Sequence, residues 1–155
     1  NKKGQEIGQF CLLGAFSEYA VVNQDSACLI DPTYPLKVAC LVGCGVVGGF
    51  GASVNRANVR PGSSVLVIGV GGVGMNVIQG ARICGASTII AADVFDRKLK
   101  WASAFGATHT INAEKENLVT KVMEITANTG VDYAFEVISS PETETPPALA
   151  ALPGP

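Results

Sequence analysis

A run of closely spaced glycines after a short apolar segment constrains this sequence more than any other feature. The apolar segment is 64–69, and the run that ends it is Gly69-Val70-Gly71-Gly72-Val73-Gly74. A short, continuous apolar run is typical of a strand buried on both faces of a sheet. Residues 72–84 repeat apolar side chains every three or four positions, which predicts a helix. A strand, a tight turn and a helix therefore follow one another directly.

Strand and helix signals alternate along the rest of the chain. We expect further strands at 87–93, 109–112 and 131–138, and helices at 96–105 and 113–128. The residues expected to face inward from the three helices are Val73, Val77, Ala81 and Cys84, then Leu99, Ala102 and Phe105, then Leu118, Val122 and Ile125. Asp96 is expected to cap the second helix. Alternation at this spacing predicts an α/β fold with a right-handed, parallel sheet.

The flanking segments follow different patterns. Residues 17–31 predict two short strands, and residues 36–57 predict a helix interrupted at 43–45. The main domain is therefore expected to begin near position 44. The Pro-rich segment 141–155 is expected to be a disordered tail, because proline cannot donate to a sheet ladder.

Composition excludes several classes of protein. The chain is 48% hydrophobic and 15% charged, which excludes a disordered chain and fits a buried sheet. A net charge of −2 without a basic patch argues against a nucleic-acid partner. No apolar run is expected to reach the roughly 18 residues of a membrane span, so no membrane partner is expected. The first ten residues also lack the apolar core of a signal peptide.

The five cysteines do not indicate a disulfide framework, because their number is odd and their spacing is loose. They are Cys11, Cys28, Cys40, Cys44 and Cys84. We expect free, buried thiols in a reducing, cytoplasmic location. The single histidine, His109, is expected to be an exposed polar residue at the start of a strand.

The glycine run fits the pattern G-x-G-x-x-G in the right context. Gly69 allows a tight turn, Gly71 lets a pyrophosphate approach bare backbone, and Gly74 lets the helix pack closely on the strand. The helix N-terminus then offers unpaired N–H groups to phosphate. This arrangement predicts a dinucleotide-binding site, although a purely structural glycine turn remains an alternative.

Asp93 supports the dinucleotide hypothesis. It ends the second predicted strand, 19 residues after Gly74. A carboxylate there can accept hydrogen bonds from an adenosine ribose and would repel a 2′-phosphate, which favours NAD over NADP. Lys98 can lean toward the ribose or phosphate, or remain a solvated lysine. Two alternatives stay open for Asp93: a helix cap, or the ribose contact of a methyltransferase.

The order and spacing of several segments resemble the zinc-dependent medium-chain alcohol dehydrogenases over roughly residues 10–139. The segments are AFSEYAVV, the VGCG around Cys44, the long stretch from GFGASV to ATHTIN, and GVDYAFEVI. The resemblance is strongest to the class III and aryl-alcohol branch. It implies a partial Rossmann-type, doubly wound NAD-binding domain at 44–140, comprising the first four strands. It also implies that 1–43 is the end of a β-rich, GroES-like catalytic domain.

The resemblance also implies roles for individual residues. Cys44 corresponds to the third ligand of the catalytic zinc, and Ile138 to an adenine-pocket residue. Asp93 corresponds to the ribose acid, and Lys98 to a neighbouring basic contact. The pyrophosphate turn corresponds to Gly69, Gly71, Gly72, Val73 and Gly74. Gly48 stands where the family usually has a threonine near the nicotinamide.

The resemblance implies an NAD-linked oxidoreductase acting on a small alcohol or aldehyde, and a homo-oligomer for the intact enzyme. The family's other two zinc ligands and its last strands are expected outside this sequence, so the chain alone is expected to be inactive. Zinc would act as a Lewis acid on the alcohol oxygen, and hydride would pass to NAD. The alternatives are a non-catalytic NAD-binding remnant and a zinc-free reductase of the same superfamily, against which the cysteine in VGCG argues.

Overall fold

The computed structural model of the chain describes Gly4, Gly8, Gly14 and residues 16–138. The chain divides into two compact units, Asn1–Pro35 and Leu36–Pro155. The tail expected at 141–155 and the cysteine at position 11 lie outside the described residues.

Residues 16–35 of the first unit form local turns. Gln24–Ser26 forms a single 3₁₀ turn, and the Asn23 side chain caps it by accepting from the Asp25 N–H at 2.9 Å. The two strands predicted at 17–31 are wrong, since residues 16–35 contain no strand. Strand-forming side chains make a ladder only when a second segment pairs with them, and the hydrogen bonds of this stretch stay within three residues.

The second unit begins with a helical segment of mixed type. Helix α1 spans Leu36–Ala39 and α2 spans Val47–Gly51, with π-helical turns at Val42–Val46 and Ala52–Arg56. The predicted interruption at 43–45 falls inside a break in the α-helix, which stops at Ala39 and resumes at Val47. The backbone widens there to a π turn, in which Val46 N–H donates to the Leu41 carbonyl at 3.3 Å.

This helical segment also overturns the expectation that no apolar run is long enough to cross a membrane. Leu36–Arg56 comprises 21 residues, and an 18-residue window within it has a mean hydropathy of 1.7, so the segment is long and apolar enough to cross a membrane by length and composition. These two properties are a weak indication, because core helices of soluble proteins share them.

A four-stranded parallel sheet follows, as predicted. The strands are β1 Ser64–Ile68, β2 Thr88–Asp93, β3 His109–Asn112 and β4 Tyr133–Glu136. The intervening helices are α3 Gly72–Ile83, α4 Asp96–Phe105 and α5 Leu118–Ile125. The strand order is β3-β2-β1-β4 and every pairing is parallel. The chain therefore places β2 and β3 on one side of β1 and then crosses over to place β4 on the other side, as in a Rossmann-type fold.

Both faces of β1 are buried, which explains its unbroken apolar sequence. Val65 and Val67 belong to one apolar cluster, with Val77 and Ala81 of α3. Leu66 and Ile68 belong to a second cluster, with Val122 of α5. All of these side chains are at most 4% exposed. Alternate residues of one strand thus anchor helices on opposite faces of the sheet.

The predicted burial of helix side chains is confirmed at the centres of the helices and is wrong at some of their ends. Val77, Ala81, Leu99, Ala102 and Val122 are buried as expected, whereas Val73 is 38% and Phe105 is 43% exposed. Asp96 does not cap α4, since Phe95 holds the cap position. Helix α5 begins five residues later than predicted, because the Asn117 side chain caps Thr120 N–H. It ends three residues earlier than predicted, just before Ala127 and Asn128, which have positive φ. End residues point past the neighbouring layer, so periodicity overstates their burial.

Glycines allow backbone contacts that fix the glycine turn against the helices. A Cβ on Gly74 would collide with the Gly69 carbonyl oxygen, and one on Gly49 would collide with the Val73 carbonyl oxygen. The Ser53 hydroxyl beside them donates to the Val77 carbonyl at 2.9 Å. Helices α2 and α3 consequently pack closer together than ordinary side chains permit.

The carboxylate of Asp132 ties the start of β1 to the segment before β4. Its Oδ2 accepts from the Ser64 N–H at 2.7 Å and from the Ser64 hydroxyl at 2.8 Å. The backbone N–H of Ser64 is the main cause that lowers the pKa of Asp132 below its usual value.

We predict that Gly74→Ala destabilises the second unit by about 3 kcal/mol, because the added methyl group has no room beside the Gly69 carbonyl. Gly72→Ala is the matched control, since its Cβ would meet no atom within 4 Å. The control should leave stability unchanged or raise it by up to about 1 kcal/mol. Urea unfolding of both variants measures the difference, and equal midpoints would contradict the packing described above.

Candidate functional site

A cavity lies at the carboxyl edge of the sheet, where a Rossmann-type fold binds its ligands. Its volume is about 520 Å³. The walls come from the ends of all four strands, the loops that follow them and the first turns of α4 and α5: Ile68, Gly69, Gly71, Ala92, Asp93, Val94, Phe95, Lys98, Ala113, Leu118, Val137 and Ile138. Most of these residues are apolar, and Asp93 and Lys98 supply the charged side chains. The lining suits a largely apolar, flat group carrying a few polar atoms.

The glycine turn forms one wall of this cavity. Gly69 has φ +91°, a left-handed conformation that favours glycine, and its N–H donates to the Ala92 carbonyl at 2.8 Å. Gly71 precedes α3 without a capping side chain, and a Cβ there would meet nothing within 4 Å. The same open space surrounds Gly72. Bare backbone at a helix N-terminus is therefore accessible to an anion.

The Asp93 carboxylate connects the glycine turn to the loop after β2. Its Oδ2 accepts from the Val70 N–H and its Oδ1 accepts from the Phe95 N–H, each at 3.0 Å. Asp93 is only 6% exposed. Two backbone amides compensate the burial of this carboxylate, and each amide needs a different oxygen. The close contact between position 93 and the turn is the geometry that the dinucleotide hypothesis requires.

Lys98 faces the same carboxylate from α4. Its Nζ lies 3.4 Å from Asp93 Oδ2 and 4.9 Å from the centre of the Phe95 ring. The side chain is 35% exposed, so the ammonium group borders the cavity and still reaches water. Lys98 is thus placed beside the carboxylate and not on a solvated helix face.

The sequence-predicted site residues fall into two groups. Gly69, Gly71, Asp93, Lys98 and Ile138 line the cavity together, and Ile138 also packs against Gly69. The remaining four lie elsewhere. Gly72 and Val73 form the first turn of α3, Gly74 is buried behind the turn, and Cys44 lies in the π turn of Val42–Val46.

The cysteines differ from the expectation. Cys28, Cys40 and Cys44 are free but exposed, and Cys84 is half-buried. The prediction of buried thiols is therefore wrong for the first three, because the described residues place nothing over them. His109 is exposed, as predicted, with Nδ1 2.9 Å from the Thr108 hydroxyl.

The described residues do not complete a metal site. Among residues 16–138, no group of three or more His, Cys, Asp or Glu side chains is close enough to hold one ion. A catalytic zinc needs three protein ligands, so Cys44 supplies at most one of them.

Several residues at the site were not predicted as binding residues from the sequence. Val70 binds Asp93 through its backbone, and Val94, Phe95, Ala113 and Leu118 line the cavity. Their positions carried a signal, because Val94, Phe95 and Ala113 follow strands that end at the same edge of the sheet. Contacts made by a backbone N–H, such as that of Val70, cannot be predicted from the type of residue, because every residue except proline has the same group.

Comparison of the chain with known proteins identifies its family. Residues 72–148 match the family described as "Zinc-binding dehydrogenase". The chain is 46% identical over 141 residues to S-(hydroxymethyl)glutathione dehydrogenase of Saccharomyces cerevisiae, covering 88% of this chain and 36% of that protein. It is 42% identical to alcohol dehydrogenase 6 of Peromyscus maniculatus, covering 91% of this chain and 38% of that protein. The chain belongs to the zinc-dependent alcohol dehydrogenase family. It spans less than two fifths of the length of these two relatives.

Solved structures of the family share the fold of the chain. Benzyl alcohol dehydrogenase of Acinetobacter calcoaceticus is 37% identical with a TM-score of 0.75, covering 80% of this chain and 34% of that one. An alcohol dehydrogenase zinc-binding domain protein of Burkholderia ambifaria is 41% identical with a TM-score of 0.74, covering 79% and 33%. The chain therefore has the same parallel α/β architecture as these relatives.

We predict that Asp93→Asn destabilises the chain by about 2 kcal/mol, because the amide NH₂ would face one of the two N–H donors. Asp93→Ala should cost at least as much, since both amides lose their acceptor. The control is Asp25→Asn, whose exposed side chain accepts none of the hydrogen bonds described above. Chemical denaturation followed by circular dichroism checks this, and an unchanged Asp93→Asn midpoint would rule out the two-amide role.

Proposed function

We propose that this chain is the NAD-binding part of a zinc-dependent alcohol dehydrogenase. The observation that carries the proposal is the cavity in which an open glycine turn and the Asp93 carboxylate face the same space. The relatives named as alcohol dehydrogenases supply the reaction class. The enzyme would transfer hydride between a small alcohol or aldehyde and NAD.

The residues present fit a dinucleotide. Gly71 and Gly72 leave room for a pyrophosphate against backbone, and the free N–H groups of the α3 N-terminus favour its negative charge. Val73 and Gly74 complete the first turn, with Gly74 allowing the helix to approach the strand.

The adenosine half would occupy the apolar part of the cavity. Asp93 would accept hydrogen bonds from the ribose hydroxyls with the lone pairs its two backbone donors leave free. A 2′-phosphate would bring negative charge to a nearly buried carboxylate, so we propose NAD and not NADP. Lys98 would stay beside the ribose, and Ile138 would contact the adenine.

Among the described residues, Cys44 is the one that we propose as a zinc ligand. Zinc, when bound, would supply a Lewis acid for the alcohol oxygen, and NAD would supply the hydride acceptor. Cys44 would provide one thiolate ligand, and its exposure leaves the sulfur accessible to ligands supplied by other segments. We also propose a cytoplasmic homo-oligomer, in keeping with free thiols and with the resemblance to this family.

We predict that Gly71→Val weakens NAD binding by about 10- to 100-fold, because the side chain fills the space against the turn and blocks hydrogen bonds to phosphate. The fold should persist, since nothing lies within 4 Å of the added Cβ and φ is −80°. Isothermal titration calorimetry with NAD and NADP measures the effect.

Gly43→Val is the matched control for this experiment. Its Cβ also enters open space, but position 43 is outside the cavity, so the NAD affinity should stay at the wild-type value. If wild-type protein bound neither nucleotide, the proposed function would be wrong.

We predict that Cys44→Ser abolishes zinc binding and alcohol-dependent NADH formation in protein of the relatives' full length, because the site loses its thiolate ligand. Cys40→Ser is the control, four residues away and also exposed. Metal analysis and absorbance of NADH report the two properties. Equal zinc content in both variants would remove Cys44 from the metal site.

A further inference from the structure

Phe95 is a large aromatic residue that remains exposed at the cavity. It lines the 520 Å³ cavity, and its side chain is 59% exposed. It also lines a second, smaller cavity of about 400 Å³ beside Asp96 and Lys115. Exposing a phenyl ring to water is unfavourable, and a ring kept at the edge of a ligand cavity is suited to cover a flat, apolar group.

The backbone that carries this ring is held in place from two directions. The Phe95 N–H donates to Asp93 Oδ1 at 3.0 Å, as described above. On the other side, the nearly buried Asn112 donates from Nδ2 to the Val94 carbonyl at 3.3 Å and to the Asp96 carboxylate. Lys115 holds the same Asp96 carboxylate at 2.6 Å. The residues on both sides of Phe95 are thus fixed by long-range contacts, which reduces the entropy lost when a ligand binds the ring.

The electrostatics around the ring also suit an aromatic ligand. Lys98 Nζ lies 4.9 Å from the ring centre, so a cation rests on the π system and the ring keeps exposed surface for a second contact. The Asp93 carboxylate, the proposed ribose contact, is bonded to the backbone of the same residue. A base attached to a ribose at Asp93 would therefore begin within reach of the phenyl ring.

We propose that Phe95 is a specificity-determining residue that stacks on the purine base of the dinucleotide. This inference rests on the proposed function, since it places the adenosine half of NAD in the cavity. Asn112 acts as a positioning residue for the loop that carries the ring. The ring selects for a flat base and contributes nothing to the nicotinamide end.

The test compares Phe95→Leu with wild type in calorimetric titrations of ADP-ribose, which contains the base, and nicotinamide mononucleotide, which lacks it. ADP-ribose binding should weaken by about 5- to 50-fold, the range expected when a base loses an aromatic partner. Nicotinamide mononucleotide affinity should not change. Phe95→Tyr should restore ADP-ribose binding, because it keeps the ring. Phe105→Leu, which alters an exposed ring at the far end of α4 and outside the cavity, should match wild type.

The outcomes separate this inference from the proposed function. If wild-type protein and Phe95→Leu bind ADP-ribose equally, the stacking role is overturned while NAD binding stands. If Phe95→Leu weakens both probes alike, the ring is structural and the inference fails too. If wild-type protein binds neither ADP-ribose nor NAD, the inference and the proposed function fail together.

Discussion

The Asp93 carboxylate joins the two segments that make the cavity. One of its oxygens holds the N–H of Val70 in the glycine turn, and the other holds the N–H of Phe95 in the loop after β2. A carboxylate that is 6% exposed needs such partners, because its loss of water must be compensated by hydrogen bonds. The turn that would take phosphate and the loop that would take adenosine are therefore set at a fixed distance by one side chain.

The sheet provides the rigid frame on which this contact depends. Strand β1 is buried on both faces, so the glycine turn that follows it has a fixed starting point. Gly74 and Gly69 approach each other closely enough that no side chain fits between them. The close packing of Gly74 on Gly69 consequently directs the N-terminus of α3 toward the cavity. The same packing leaves no room for water behind the turn. Binding geometry and stability thus rest on the same glycines.

The helical segment Leu36–Arg56 contrasts with this frame. Its inner side packs on α3 through Gly49 and Ser53, while Leu36, Leu41 and Val47 on other sides are at least 59% exposed. Cys44 lies in this segment and is not among the residues that line the cavity. The proposed nucleotide contacts are formed by residues 68–138, whereas the proposed metal contact depends on ligands that the described residues do not provide.

The sequence by itself determined the sheet, its helices and five of the twelve residues that line the cavity. Apolar runs and glycine spacing depend on local backbone geometry, so they predicted β1, α3 and the turn at Gly69 with small errors. Tertiary structure alone decided which backbone groups Asp93 binds, which helix ends stay exposed, and that Phe95 borders the cavity. These features depend on tertiary contacts between segments that are far apart in the chain and come together at one edge of the sheet. The periodicity of the sequence does not predict such contacts. The failure at 17–31 has the same cause, because a strand exists only where a partner strand pairs with it.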